Sequence, residues 1–135
     1  MKPATRRTPN TGELRRAGRQ ADRMHAPMMR DRYAAIARLQ VDLSFGAGAG
    51  PVPSPQSHSF YPPARAFFRF PCPYSECDGE FDLSAGVDKL ATVRQPALRT
   101  ASGRLECGGM HYRERANASS CQLAVSWRVA IVQSE

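Results

Sequence analysis

The chain has 135 residues, 19 Lys and Arg against 12 Asp and Glu, and a pI near 9.8, a length that allows one ordinary domain, or a small one with tails. No stretch approaches the roughly 18 consecutive apolar residues of a membrane helix, and no apolar run follows the basic N-terminus, so neither a membrane span nor an export signal is expected; the expected setting is cytoplasmic, where thiols stay reduced. The excess charge sits at one end: the basic side chains from Lys2 to Arg38 outnumber Glu13, Asp22 and Asp31, whereas residues 41–135 carry equal numbers of each sign, which confines the electrostatic argument for a nucleic-acid partner largely to the first segment.

Residues 1–27 are rich in Arg, Pro, Thr and Gly with few large apolar side chains, and they read as a disordered basic tail because little burial is available to offset chain entropy. Residues 28–45 read as a helix: Met29, Tyr33, Ile36, Leu39 and Leu43 follow a spacing of three and four, Pro27 suits its first turn, and Gly46 its end. The apolar stripe of that helix needs a partner, in the same chain or in a second copy. Residues 46–65, GAGAGPVPSPQSHSFYPPAR, read as a Gly/Pro/Ser linker, with Phe60 and Tyr61 as candidate docking side chains.

Residues 66–135 read as the folded unit. AFFRFP (66–71) is strand-like and runs into the first cysteine, and Glu80–Leu83 alternates after the second. Residues 87–93 allow a short helix or an irregular connection, and residues 104–107 a short strand. CQLAVSWRVAIV (121–132) is the strongest strand signal in the chain, and its alternation puts Cys121 on the same face as Leu123, Val125, Trp127, Val129 and Ile131.

The four cysteines are spaced Cys72-x4-Cys77, then Cys107-x13-Cys121 after 29 intervening residues. A tight turn carrying two thiols can supply two corners of a tetrahedral zinc site. Pro73 and Gly79 in the first turn, and Gly108 and Gly109 after Cys107, are residue types that such turns use. Cys72 and Cys77 lie among Ser, Glu and Asp, a poor setting for buried structural thiols, so a metal is the expected reason for the pair. FPCPYSECDG and LECGG resemble the two knuckles of a zinc ribbon, over roughly residues 68–132. The resemblance implies a small antiparallel sheet clamped by one structural Zn2+ on Cys72, Cys77, Cys107 and Cys121. Two spacings depart from the family pattern: four residues intervene in the first pair, where two are commoner, and thirteen in the second. His111, three residues after Cys107 by intervening count, is the alternative fourth ligand; otherwise it, like His25 and His58, reads as solvated. A small domain with few large apolar side chains is expected to need such a staple.

The fold class expected is therefore a small β-rich, zinc-ribbon-like antiparallel sheet with one N-terminal helix and a disordered N-terminal tail. No phosphate-binding Gly-rich loop, HExxH or nucleophile elbow is present, so an enzyme is not expected. Glu76, Asp78, Glu80 and Asp82 cluster near the first turn but lack the spacing of a calcium loop. Two functions stay open. One is a binding module for a protein or a nucleic acid, with Arg113 and Arg115 beside Tyr112 as the best nucleic-acid contacts. The other is a thiol-redox or zinc-release sensor using Cys72 and Cys77, against which Glu76 and Asp78 argue by disfavouring thiolates.

Overall fold

Two long alternating runs become neighbours in the computed structural model, which describes residues 11–48, 50–93, 96–112 and 118–134. β1 (Ile36–Phe45) and β8 (Ala124–Gln133) pair antiparallel, with Val41 opposite Val129 and Phe45 opposite Val125. β2 (Gln56–Phe60) joins the free side of β1, and β5 (Leu98–Glu106) that of β8, giving a four-stranded sheet of order β2-β1-β8-β5. Leu39, Val41, Leu43, Phe45, Val125, Val129 and Ile131 are buried on one face, while Ser44, Ser126 and Arg128 on the other are exposed. A half-solvated antiparallel sheet dictates this alternation. Each fully buried aliphatic side chain contributes about 1.5–3 kcal/mol.

Among the described residues, two short hairpins and three helices accompany the sheet, and the first hairpin and the second and third helices send Phe70, Phe81, Met29 and Val87 into its core. β3 (Arg69–Pro71) pairs with β4 (Glu80–Asp82), and β6 (Met110–Tyr112) with β7 (Ala118–Ser120). The helices are α1 (Thr11–His25), the single turn α2 (Met29–Arg32) and α3 (Ser84–Ala91). Phe68, Phe70 and Phe81 fill the space between the first hairpin and the sheet, with the Phe60 ring 5.0 Å from Phe68. Trp127 lies against Gly103, where a Cβ would come within 2.7 Å of its ring.

The expected helix over 28–45 is corrected: only Met29–Arg32 is helical, and Ile36–Phe45 is a strand. A β-bulge between Ile36 and Arg38 keeps both Ile36 and Leu39 on the buried face, because a bulge inserts one residue and restores the phase. That three-residue step imitates a helical repeat. The passive linker over 46–65 is corrected too, since Gln56–Phe60 is an edge strand flanked, not interrupted, by prolines. Nor is 66–135 a separate unit: β1 lies between β2 and β8, so residues 36–60 supply half of the main sheet. Within the expected tail, residues 11–25 form α1, and residues 1–10 lie outside the described residues. The broad expectation holds: the fold is β-rich and antiparallel with one main N-terminal helix, although that helix is α1. No helix among the described residues is long and apolar enough to cross a membrane.

Candidate metal centre

The first hairpin turns through Cys72–Gly79, and the chain leaves β5 through Cys107-Gly108-Gly109 into β6. The two turns meet glycine against glycine. A Cβ on Gly79 would collide with the sulfur of Cys107 and come within 2.9 Å of Gly109 Cα, and a Cβ on Gly109 would collide with Gly79. No glycine among the described residues has positive φ. These two glycines are therefore required by close approach, not by the permissive backbone that the sequence suggested. Asp78, whose side chain is fully buried, ties the turns together: its N–H donates to the Met110 carbonyl (3.2 Å), and its Oδ1 accepts from the Met110 N–H (2.8 Å).

Cys121 arrives from β7, its N–H donating to the Gly109 carbonyl (3.0 Å). Gln122 follows with φ 53°, a left-handed residue that turns the chain from the site into β8. The four sulfurs lie within 4.8 Å of one another, and all four residues are buried. Cys72 and Cys121 are 3.8 Å apart, Cys77 and Cys107 3.6 Å. A tetrahedron with 2.3 Å metal–sulfur arms has edges of about 3.8 Å, so the donor set has the size and chemistry to hold a metal ion. Gly79 N–H donates to Cys77 Sγ (3.3 Å) and Gly109 N–H to Cys107 Sγ (3.4 Å), which offsets charge on thiolates.

Crowding decides how the thiols titrate. Cys107 is pulled down to about 5, first by hydrogen bonding with Cys72 and further by the Gly109 N–H. Cys72 is pushed up, first by its hydrogen bond to Cys107 and then by burial. Cys77 is pushed up to about 12, chiefly by burial. Four sulfurs this close cannot all ionise unless a cation joins them.

His111 is not in the sulfur cluster, and its expected exposure is corrected: it is fully buried, paired across a β-bridge with Cys77, and its ring centroid lies 5.3 Å from that of Tyr74. Arg113 and Arg115 lie outside the described residues, and Tyr112 is placed only as the end of β6. His58 is half-buried, with its ring 4.8 Å from that of Phe70, whereas His25 is exposed as expected. The carboxylates after Cys77 have protein partners: Glu80 holds Arg69 at 2.5 and 3.0 Å, and Asp82 accepts the Ser84 N–H at 2.9 Å.

Sequence reasoning missed α1 as part of the site. Arg16 Nη2 donates to the carbonyls of Ser75 (3.0 Å) and Cys77 (2.9 Å), and Arg19 Nη2 to those of Asp78 and Gly79, both at 3.1 Å. Arg15 pairs with Asp78 at 3.0 Å. The helix thus sits on the first cysteine turn through guanidinium groups, with Leu14 and Met24 left exposed. The helical spacing of Arg15, Arg19 and Asp22 is the signal that could have revealed it.

No family model matches the chain, and no curated protein or solved structure matches it.

Proposed function

We propose that this chain is a zinc-stabilised interaction module whose metal centre is structural. The observation that carries the reading is the convergence of four buried cysteine sulfurs within 4.8 Å. A zinc ion held by four thiolates has every position filled by protein, so neither water nor substrate gains access and the ion serves the fold. The inner face of the sheet already has an apolar core. The ion's task is therefore narrower than replacing a missing interior: it fastens the turn of the first hairpin, on which α1 sits, to the Cys107 turn and the Cys121 end of the second hairpin.

The partner is a macromolecule, and a protein is favoured over a nucleic acid. Arg15, Arg16, Arg19 and Arg69 bond within the chain, which lowers the charge available to phosphates. Retention on the partner that resists salt supports a protein; a steep fall with salt points to phosphate contacts. A redox role draws on the lowered Cys107 thiol, but Cys72 lies 3.8 Å from Cys121 and Cys77 3.6 Å from Cys107, so the cluster gives no reason to single out a Cys72–Cys77 switch.

Native mass spectrometry of the full chain, with and without chelator, tests the reading. One zinc with four reduced thiols is the expected result. A coloured, iron-loaded protein would replace zinc with iron in the same donor set. A metal-free protein containing a disulfide would overturn the reading in favour of redox chemistry.

A further inference from the structure

Away from the cysteines, a cavity of about 810 Å³ lies between the last turn of α3, the residues leading into β1 and the first residues of β5. Its polar walls are Arg32, Tyr33, Asp88 and Arg99. Ala35, Ile36, Ala91 and Val93 give it an apolar side. A volume of this order suits a small organic ligand.

Arg99 is the unusual wall. It is only 5% exposed, and charged residues are almost never that buried without a charged partner. Its Nε donates to the Leu90 carbonyl (3.2 Å), and its Nη1 to the Pro96 carbonyl (3.0 Å) and Gln133 Oε1 (2.9 Å). All three acceptors are neutral. Among the described residues no carboxylate pairs with Arg99, and its Nη2 makes no hydrogen bond. Among the described residues the buried side-chain atoms left without a hydrogen-bond partner are both in His111, and Nη2 is not one of them, so it keeps contact with solvent, and the space that Arg99 lines is this cavity.

The surrounding charge does not neutralise it. The C-terminal end of a helix carries about half a negative charge, and Leu90 belongs to the last turn of α3, but Lys89 stands in that same turn. Asp88 is already engaged. Arg32 Nη2 reaches both of its oxygens at 3.2 Å, and the Tyr33 hydroxyl donates to Oδ1. A buried guanidinium with one free edge thus faces a cavity whose nearest carboxylate is spent elsewhere.

We propose that this cavity is a binding site for a small organic carboxylate, its head on Arg99 Nη2 and its apolar body along Ile36 and Ala91. A phosphate suits it less well. Only one edge of Arg99 is free, the net local charge is small, and half of the lining is apolar. The inference is independent of the metal reading.

The experiment is a titration of the isotope-labelled full chain with benzoate, benzamide and inorganic phosphate, followed by the backbone amides and the arginine side-chain NH signals. Benzoate should shift the Arg99 guanidinium and the amides of Tyr33, Asp88 and Thr92 saturably, and bind at least about tenfold tighter than benzamide, as one charge-assisted hydrogen bond allows. Arg99→Gln should abolish that preference. Should Arg99→Gln fail to fold, the parent chain still decides: benzoate must shift the Arg99 guanidinium signal saturably and benzamide must not, and an Arg99 signal that stays still while benzoate binds overturns the proposal. Equal binding of benzoate and benzamide, shifts confined to the α1 arginines, or phosphate binding as tightly as benzoate would each overturn the proposal.

Discussion

A single methyl group at residue 79 should open the metal centre. In Gly79→Ala the new Cβ collides with Cys107 Sγ and lies 2.9 Å from both Gly109 Cα and Gly109 N. Those neighbours are backbone and a ligand sulfur, so no flexible side chain can yield. Relief requires the two turns to part by about 1 Å, several times the roughly 0.2 Å tolerance of a metal–sulfur bond. Structural zinc sites are worth about 10–16 kcal/mol. Spread over four ligands, loss of one costs roughly 3 kcal/mol, or more than about a hundredfold in affinity. Overpacking adds about 1–3 kcal/mol of destabilisation. Gly108→Ala is the control, because a Cβ there meets nothing within 4 Å and its φ is not positive; it should bind zinc as the parent does and be unchanged or slightly stabilised. Competition with a chromophoric chelator gives the affinity, and thermal unfolding the stability. If Gly79→Ala and Gly108→Ala bind zinc within about threefold of each other, close approach of the turns is not what the glycines provide.

Three further outcomes follow from the same geometry. With Cys72 pushed up and Cys77 pushed up to about 12, both are thiols at neutral pH in the metal-free chain, so zinc binding should release at least two protons per ion, and apparent affinity should rise about a hundredfold per pH unit near neutrality; calorimetry in buffers of different ionisation enthalpy measures this, and zero release refutes it. Arg19→Ala removes buried donors from the Asp78 and Gly79 carbonyls and should cost about 2–3 kcal/mol, with faster hydrogen exchange across α1; chelation should accelerate the same amides, and unchanged α1 protection in both cases would show that the helix does not depend on the closed turn. Arg69 holds the Glu80 carboxyl below its usual range, so this contribution is complete above the unfolded pKa near 4.5 and is lost as pH falls through the folded value; Glu80→Gln should lose under about 1 kcal/mol at pH 7, given partial exposure, and its deficit should shrink steadily as urea titrations are carried to pH values below 4.5, whereas a deficit that does not change with pH would exclude the ion pair as its cause.

Period-two alternation over residues 121–132 identified β8 almost in full, and the pairing of thiols with glycines and a proline identified the turns that meet at the sulfur cluster. Both signals are local, encoded in side chains a few residues apart. What the sequence could not display was set by contacts between distant segments. Ile36–Phe45 became a strand because β8 and β2 offer it hydrogen-bonding edges on both sides, and a bulge disguised its period. Residues 11–25 became part of the site because two guanidinium groups found the carbonyls of a turn some sixty residues away and a third found its Asp78 carboxylate, where counting apolar side chains in α1 gave no reason to expect order. Cys121, not His111, joined the other thiols because the β6–β7 hairpin returns the chain to Gly109. Local residue chemistry thus named the donors; which segments could reach them depended on backbone pairing across the whole chain, which no single window of sequence contains.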